Sequence, residues 1–357
     1  MRSDMSARGA WREVHAWARR LARDLQAERP DAVLLHYSVF DYAHRGVPLY
    51  VGAPMSALRE TGVPVVAVLH ELAYPWGRAG WRGAMWALTQ RAALIDVLRS
   101  VSTVVVTADF QERWLESRRW APRRLIAMAP VFSNLPAPQT QADRDPGNTA
   151  ALGIFGYSYE GVATSLVLDA MRRLADEGVA LQLRLLGSPG RSSPSGERWL
   201  AEARQRGLAA ALWFSGALPA QELSNALAGC TVLVCPDRAG PSSRKGSLAA
   251  SLLAGRPVVA IDGPRTWSRM SEQGALLLVE PEECALAKAV SELLHDAREA
   301  DELGARGRTF HEQEMSVEVT AAAVGGLLER IGVAQAPSQT GRPNQGGADS
   351  QHERATW

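Results

Sequence analysis

The chain has 357 residues, of which 46% are apolar and 22% are charged, and its net charge is +1. This length suits two globular domains, and the near-zero charge offers no bulk attraction for nucleic acid. Cys230, Cys235 and Cys284 fit neither a disulfide framework nor a metal-ligand spacing, which favours a reducing compartment. We therefore expect a cytoplasmic protein with no nucleic-acid partner.

The N-terminal segment is predicted to be a basic helix over residues 8–29. Its apolar residues recur at helical spacing, and Arg12, Arg19, Arg20 and Arg23 occupy the other faces. One interpretation is a helix resting on the inner face of an anionic membrane, and the other is a surface helix whose apolar stripe packs on its own domain. No apolar run reaches the roughly 18 residues of a membrane span, so we expect at most peripheral membrane contact.

Short apolar runs then alternate with helical patterns in two blocks. Strands that are apolar throughout are typical of parallel sheets covered by helices, so we predict an α/β protein with two Rossmann-like, doubly wound domains. The first block is predicted to contain strands at 31–37, 63–70, 103–107 and 124–130 and helices at 53–61, 84–99 and 110–118. The second block is predicted to contain strands at 150–156, 181–187, 212–215, 231–236, 257–261 and 275–279 and helices at 163–177, 196–207, 219–228, 246–253, 282–295, 297–310 and 317–331.

The composition between and after these blocks predicts the domain boundaries. Residues 135–149 are rich in Pro, Gln, Asp and Asn and are predicted to form a linker. We expect domains over 1–134 and 150–316. The predicted C-terminal helix over 317–333 could pack back on the first domain, and the Gln-, Gly- and Ser-rich tail over 334–357 is predicted to be disordered.

The segment with the clearest chemical signal is the loop over 241–245 and the helix that follows it. A loop of Gly and Ser before a helix N-terminus presents free N–H groups and the positive end of a dipole, which suits phosphate. Arg244 and Lys245 add positive charge there, and the chain has only one other lysine. The competing interpretation is an ordinary turn with a solvated pair of cations.

Residues that follow the predicted strands are further candidates, because ligands of doubly wound sheets bind outside the carboxyl ends of strands. His70 could orient or deprotonate a hydroxyl, since imidazole titrates near neutral pH, although a structural His is the competing interpretation. Glu71 is the alternative acid–base group, and we expect only one of these neighbours to face the cleft. Gly156 and Gly187 would let a ligand approach the backbone, or would simply form turns.

Several segments resemble the C-terminal domain of retaining, nucleotide-sugar-dependent glycosyltransferases of the GT-B fold (group 1 type). The matching segments are FSGALPAQEL at 214–223, AGCTVLVCP at 228–236 and AGRPVVA at 254–260. In the first block, 65–70 resembles the family's strand ending in a His on the acceptor side, and 131–136 resembles its exit into the linker. The resemblance covers about residues 31–331.

This resemblance implies a cleft between two domains, with the nucleotide sugar on the second and a glycan, lipid-linked or small-molecule acceptor on the first. It implies transfer with retention, without a cofactor and without a required metal, because N–H groups and cations can stabilise the departing diphosphate. The implied catalytic residues are His70, Arg244 and Lys245; the donor-binding residues are Gly156, Tyr157, Gly187, Asp237, Ser243, Gly246 and Ser247; and the acceptor-side residues are Glu71 and Tyr74.

The chain also departs from the family pattern. The family's two glutamates fall at Ser242 and Ala250, and residues 156–160 contain no cation. The chain begins with a helix where the family begins with a strand, so either the gene start is misplaced or part of the pocket is missing. A working variant is our prediction. The alternatives are a non-catalytic GT-B-like scaffold that partners a true glycosyltransferase, and a nucleotide-sugar epimerase, which would need further acidic and His residues in the cleft.

Overall fold

Two parallel β-sheets covered by helices make up the computed structural model, which describes residues 7–139, 149–159 and 161–332. The predicted α/β class with two Rossmann-like sheets is confirmed. The predicted tail, most of the predicted linker and Glu160 lie outside the described residues. The boundaries of the two domains stay predictions.

The first sheet contains four strands in the order β1-β2-β3-β4. Right-handed connections between parallel strands in sequential order put every crossover helix on one face. That face is buried in a single core, in which Met55 and Leu94 from the helices pack against Leu69 and Val106 from the strands. The elements of this domain are α1 (Ala7–Glu28), β1 (Val33–Tyr37), α2 (Gly52–Thr61), β2 (Val65–Leu69), α3 (Gly80–Ser100), β3 (Thr103–Val106), α4 (Asp109–Glu116) and β4 (Leu125–Met128).

The second sheet contains six parallel strands in the order β10-β9-β8-β5-β6-β7. The order reverses between β5 and β8, and such a switch point opens a crevice at the carboxyl ends of the strands. Helices cover both faces of this sheet. Its elements are β5 (Ala150–Phe155), α5 (Thr164–Asp176), β6 (Leu181–Leu186), α6 (Pro194–Gln205), β7 (Leu212–Gly216), α7 (Ala220–Ala228), β8 (Val232–Cys235), α8 (Gly246–Leu253), β9 (Val258–Ile261), α9 (Ser268–Glu272), β10 (Leu277–Val279), α10 (Glu283–His295) and α11 (Ala297–Glu314).

The last helix, α12 (Val317–Arg330), crosses back to the first domain. Its Leu327 packs against Val66 and Val105 on the face of the first sheet that the crossover helices leave open. The Thr320 hydroxyl donates a hydrogen bond of 2.9 Å to the carbonyl of Pro130. The alternating side chains of β2 and β3 therefore contact two separate helical layers, which explains why these strands are apolar throughout.

The helix boundaries differ most from prediction in α3, which begins at Gly80 instead of residue 84, and in α11, which ends at Glu314 instead of residue 310. Glycines 80 and 83 are typical of helix breaks in a sequence, which explains the late predicted start. In the structure, a Cβ on Gly83 would lie 1.7 Å from the carbonyl oxygen of Arg78, so this position has room only for glycine. The short helix α9 and a 3-10 turn at Ala209–Ala211 were not predicted.

Candidate active site

The switch point of the second sheet brings the glycine after β5 against the first turn of α8. Gly156 has a φ of +79°, and a Cβ there would lie 3.2 Å from the Cβ and Oγ of Ser247. In the first turn of α8, Leu248 and Ala249 donate to the carbonyl of Lys245 at 3.1 and 3.0 Å. The N–H groups of Gly246 and Ser247 have no hydrogen-bond partner within the described part of the chain, and no side chain caps the helix. These N–H groups and the helix dipole create a positive site at the crevice.

Lys245, beside this helix terminus, is paired with a buried carboxylate. Its ammonium group forms an ion pair with Asp237, whose side chain is 5% exposed. The same ammonium lies 3.9 Å from the ring centroid of Tyr159. Asp237 also accepts a hydrogen bond of 2.9 Å from the N–H of Ala239. The pair therefore joins the start of α8 to the end of β8, and most of the lysine's charge is matched within the protein.

Arg244 extends from the second domain to the first. Its Nη2 donates a hydrogen bond of 2.8 Å to the carbonyl of His70 and lies 3.6 Å from Oε1 of Glu71. Its neighbour Ser243 is fully buried, and the Ser243 hydroxyl donates 2.8 Å to the carbonyl of Thr107. The loop predicted to bind phosphate is therefore also a principal contact between the two domains.

The side chain of His70 pairs with a second histidine. Nδ1 of His36 lies 3.0 Å from Nε2 of His70, and the rings are stacked with centroids 5.3 Å apart. Burial, followed by the neighbouring His36, lowers the pKa of His70 below its ordinary value. The ring is therefore neutral at pH 7, and one histidine donates its ring proton to the other.

A cavity of about 350 Å³ lies between the domains, on the first-domain side of Arg244. Glu71 and Tyr74 line it together with Phe110, Trp114 and Arg265. Oε2 of Glu71 is buried and has no hydrogen-bond partner among the described residues. An unpartnered carboxylate oxygen in a cavity is suited to accept a proton or hydrogen bond from a ligand hydroxyl. Of the neighbours His70 and Glu71, it is Glu71 that lines this cavity.

Among residues 7–139, 149–159 and 161–332, no three His, Cys, Asp or Glu side chains converge where they could hold a metal ion. No helix in the same ranges is long and apolar enough to cross a lipid bilayer.

Comparison with known proteins finds a family match for the second domain, which contains the uncapped N-terminus of α8. Residues 150–296 match the family model of glycosyl transferases group 1. The second domain is similar to group 1 glycosyltransferases. The match lies within the part of the chain where the sequence resembled this family, and the predicted family resemblance and enzyme class, glycosyltransferase, are confirmed. No curated protein matches the chain.

Solved structures extend the likeness to the first domain. Sucrose-phosphate synthase from Thermosynechococcus elongatus superimposes with a TM-score of 0.68 at 18% identity, over 92% of this chain and 80% of that one. A glycosyltransferase from Rickettsia africae gives 0.68 at 12% identity, over 93% and 83%. Anabaena HepE in complex with UDP gives 0.65 at 15% identity, over 87% and 82%. At such identities the comparison shows the fold, which is GT-B.

Within the glycosyltransferase domain, Tyr157 supports a turn from inside the core. It is 1% exposed, its hydroxyl donates to the carbonyl of Gly187 at 3.3 Å, and the N–H of Gly190 donates to that hydroxyl at 2.8 Å. Gly187 has a φ of +84°, and a Cβ there would lie 3.0 Å from the ring of Phe155. Tyr157 therefore stabilises the turn after β6 from the core. The turn borders the crevice, whereas the side chain of Tyr157 is buried behind it.

Replacing Tyr157 with phenylalanine should lower the free energy of unfolding by about 1 kcal/mol, because the hydroxyl's two hydrogen bonds are lost. Urea denaturation measures this change. The matched control is Tyr159→Phe, since the Tyr159 hydroxyl has no hydrogen-bond partner in the described ranges. A loss of nucleotide affinity with unchanged stability would instead mean that Tyr157 touches the donor.

Sequence reasoning missed two side chains at the boundary of the glycosyltransferase domain. The guanidinium carbon of Arg265 lies 5.0 Å from the ring centroid of Phe110, which makes a cation–π contact between the domains. Gln111 donates 3.1 Å to the carbonyl of His70 and accepts 3.0 Å from the N–H of Thr107. Arg265 lies in the loop after β9, so a search of every strand end would have found it. Gln111 lies within α4, and no strand-end rule selects it.

Proposed function

We propose that this chain transfers a sugar from a nucleotide-sugar donor to an acceptor glycan, lipid-linked or small molecule, with retention and without a metal ion. The observation that carries the proposal is the uncapped start of α8 at the β5/β8 switch point, where Gly156 leaves the backbone accessible. The family match covers this part of the chain.

The proposed site binds the donor diphosphate at the start of α8. The N–H groups of Gly246 and Ser247 face it, and Arg244 supplies the nearest mobile charge. The Arg244–Glu71 contact of 3.6 Å is partly exposed, and such pairs are weak, so a diphosphate can compete for the guanidinium. As the bond to the sugar breaks, negative charge grows on the diphosphate, and these donors stabilise it most strongly at that point.

Lys245 has a different role in this proposal. The buried Asp237 already matches its charge, so the lysine fixes the conformation of the loop from which Arg244 and the N–H groups project. The acceptor enters the interdomain cavity, where the unpartnered oxygen of Glu71 accepts a hydrogen bond from its hydroxyl. His70 supports Arg244 through its backbone carbonyl.

A second candidate function is a non-catalytic GT-B-like binding protein that partners another glycosyltransferase. It is favoured by the ion pairs of Arg244 with Glu71 and of Lys245 with Asp237, which occupy both cations of the loop. The two candidates differ in their predicted affinity for nucleotides.

Calorimetry with UDP, GDP and TDP, followed by mass spectrometry of products formed from the matching nucleotide sugars, separates these candidates. UDP is the first choice because HepE was solved with UDP and with UDP-glucose. Binding of one nucleotide and appearance of a glycosylated product support the enzyme. Failure to bind any of the three contradicts it and favours the binding protein.

A further inference from the structure

The outer face of the first half of α3 carries large apolar side chains that face solvent. Trp81 is 74% exposed, Met85 38% and Leu88 63%. These positions are four and three residues apart, so they form one stripe along the helix. Trp76, in the loop before α3, is 55% exposed. Single exposed apolar residues are ordinary on soluble proteins, but a contiguous group of this size marks an interaction site.

The charged side chains within this segment are all positive. Residues 72–95 include Arg78, Arg82 and Arg91 and contain no Asp or Glu. The Arg91 guanidinium lies 4.7 Å from the ring centroid of Trp76, and that of Arg82 lies 5.7 Å from the ring centroid of Trp81. Trp and Arg side by side on an amphipathic helix are typical of surfaces that rest in the headgroup region of a membrane.

The stripe is held rigidly by the opposite face of the helix. Ala87 and Leu94 are fully buried in the first domain. Trp86 donates from its ring N–H to the carbonyl of Arg45 at 3.0 Å, and Gln90 donates from its amide to the carbonyl of Gly46 at 2.9 Å. The fold therefore fixes which face of α3 is presented, and no described element covers it.

The same segment also borders the interdomain cavity. Tyr74, Pro75 and Arg91 line that cavity and are continuous in sequence with the exposed stripe. A molecule that reaches this surface from a bilayer would therefore lie close to the cavity that Arg244 also lines.

We propose that the α3 surface, formed by Trp76, Arg78, Trp81, Arg82, Met85 and Leu88, docks the protein on an anionic lipid bilayer. The apolar side chains insert at the headgroup boundary, and the arginines contact lipid phosphates. This inference does not depend on the proposed sugar transfer. The alternative basic helix, α1, exposes Trp11 and Trp17, but it also carries three acidic residues, Glu13, Asp24 and Glu28.

Co-sedimentation of the full chain with vesicles tests the proposal. Wild-type protein should sediment with vesicles of equal parts phosphatidylcholine and phosphatidylglycerol and stay in solution with phosphatidylcholine alone. Binding should weaken as salt is raised, because the arginine–phosphate attraction is screened. The double variant Trp81→Ser/Leu88→Ser should lose at least about tenfold in partition coefficient, and Arg78→Gln/Arg82→Gln should lose much of the preference for anionic lipid.

Two controls make the test decisive. Trp213→Ser removes a 43% exposed tryptophan from the second domain and should leave binding unchanged. Trp11→Ser/Trp17→Ser tests α1 and should also leave it unchanged. Thermal unfolding checks that each variant is folded, and calorimetry with UDP follows the nucleotide site separately.

Three results would overturn the proposal. In the first, wild-type protein fails to bind anionic vesicles. In the second, the Trp81/Leu88 variant binds as well as wild type while the Trp11/Trp17 variant does not, which assigns the membrane surface to α1. In the third, wild-type protein is a dimer in solution that the Trp81/Leu88 variant dissociates, which makes the α3 surface an interface between two copies of this chain.

Discussion

The variant Arg244→Ala is expected to have kcat/KM for the nucleotide sugar lowered about 100- to 1,000-fold, the usual cost of removing one donor to a developing negative charge. Of the two cations in the 241–245 loop, Arg244 has the weaker ion pair. Its Nη2 lies 3.6 Å from Oε1 of Glu71, and both side chains are partly exposed. Since the charge on the diphosphate grows toward the transition state, kcat should fall more than nucleotide affinity. Steady-state kinetics and calorimetry on the same preparation measure the two effects.

Two variants control this experiment. Arg204→Ala removes an exposed arginine from α6, outside the cleft, and should leave both values unchanged. Arg244→Lys keeps the charge but loses the planar, multi-donor group that reaches His70 and Glu71, so it should recover only part of the activity. If Arg244→Ala leaves turnover and nucleotide affinity unchanged, the proposed site is wrong.

The second large effect is on stability. Lys245→Met should lower the free energy of unfolding by about 3–5 kcal/mol, because it leaves the buried carboxylate of Asp237 without its partner. The double variant Lys245→Met/Asp237→Asn removes both charges and should recover much of this loss. Urea or thermal denaturation measures all three proteins.

The chain supplies its own control, since its other lysine is Lys288. That side chain is 77% exposed and pairs with Glu292 at 3.8 Å, so Lys288→Met should change stability by less than about 0.5 kcal/mol. If Lys245→Met keeps full stability but loses nucleotide affinity, Lys245 contacts the diphosphate directly, as the family resemblance implied.

Much of the fold could be read from local patterns. The predicted helix at 246–253 has the same bounds as α8, and each of the ten strands lies within or close to its predicted range. Apolar runs and helical periodicity depend only on neighbouring residues, so they predict the positions of strands and helices without knowledge of the tertiary structure. The misses are the start of α3, the end of α11 and the short helix α9. In α3, the close packing of Gly83 against the carbonyl of Arg78 overrides the low helix propensity of glycine.

The site was predictable in part. The glycine after β5 and the start of α8 follow strands, and the rule that ligands bind at strand ends selects them. The partners of the two cations were not predictable, because Arg244 meets the carbonyl of His70 across 174 positions of the chain. Asp237 and Tyr157 were predicted to bind the donor because they follow strands. In the structure both are buried, and their side chains contact Lys245 and the turn after β6.

The sequence by itself determined that strands and helices alternate in two blocks, that a loop with two cations precedes α8, and that its second block resembles group 1 glycosyltransferases. Tertiary structure alone decided that Lys245 is held by a buried carboxylate while Arg244 faces the cleft, and that the first half of α3 turns its tryptophans to solvent. The physical reason is that the periodicity of apolar residues is a property of neighbouring positions in the sequence. Whether a charged side chain has an ion-pair partner, and whether a helix face is exposed, depends on residues that only folding brings together.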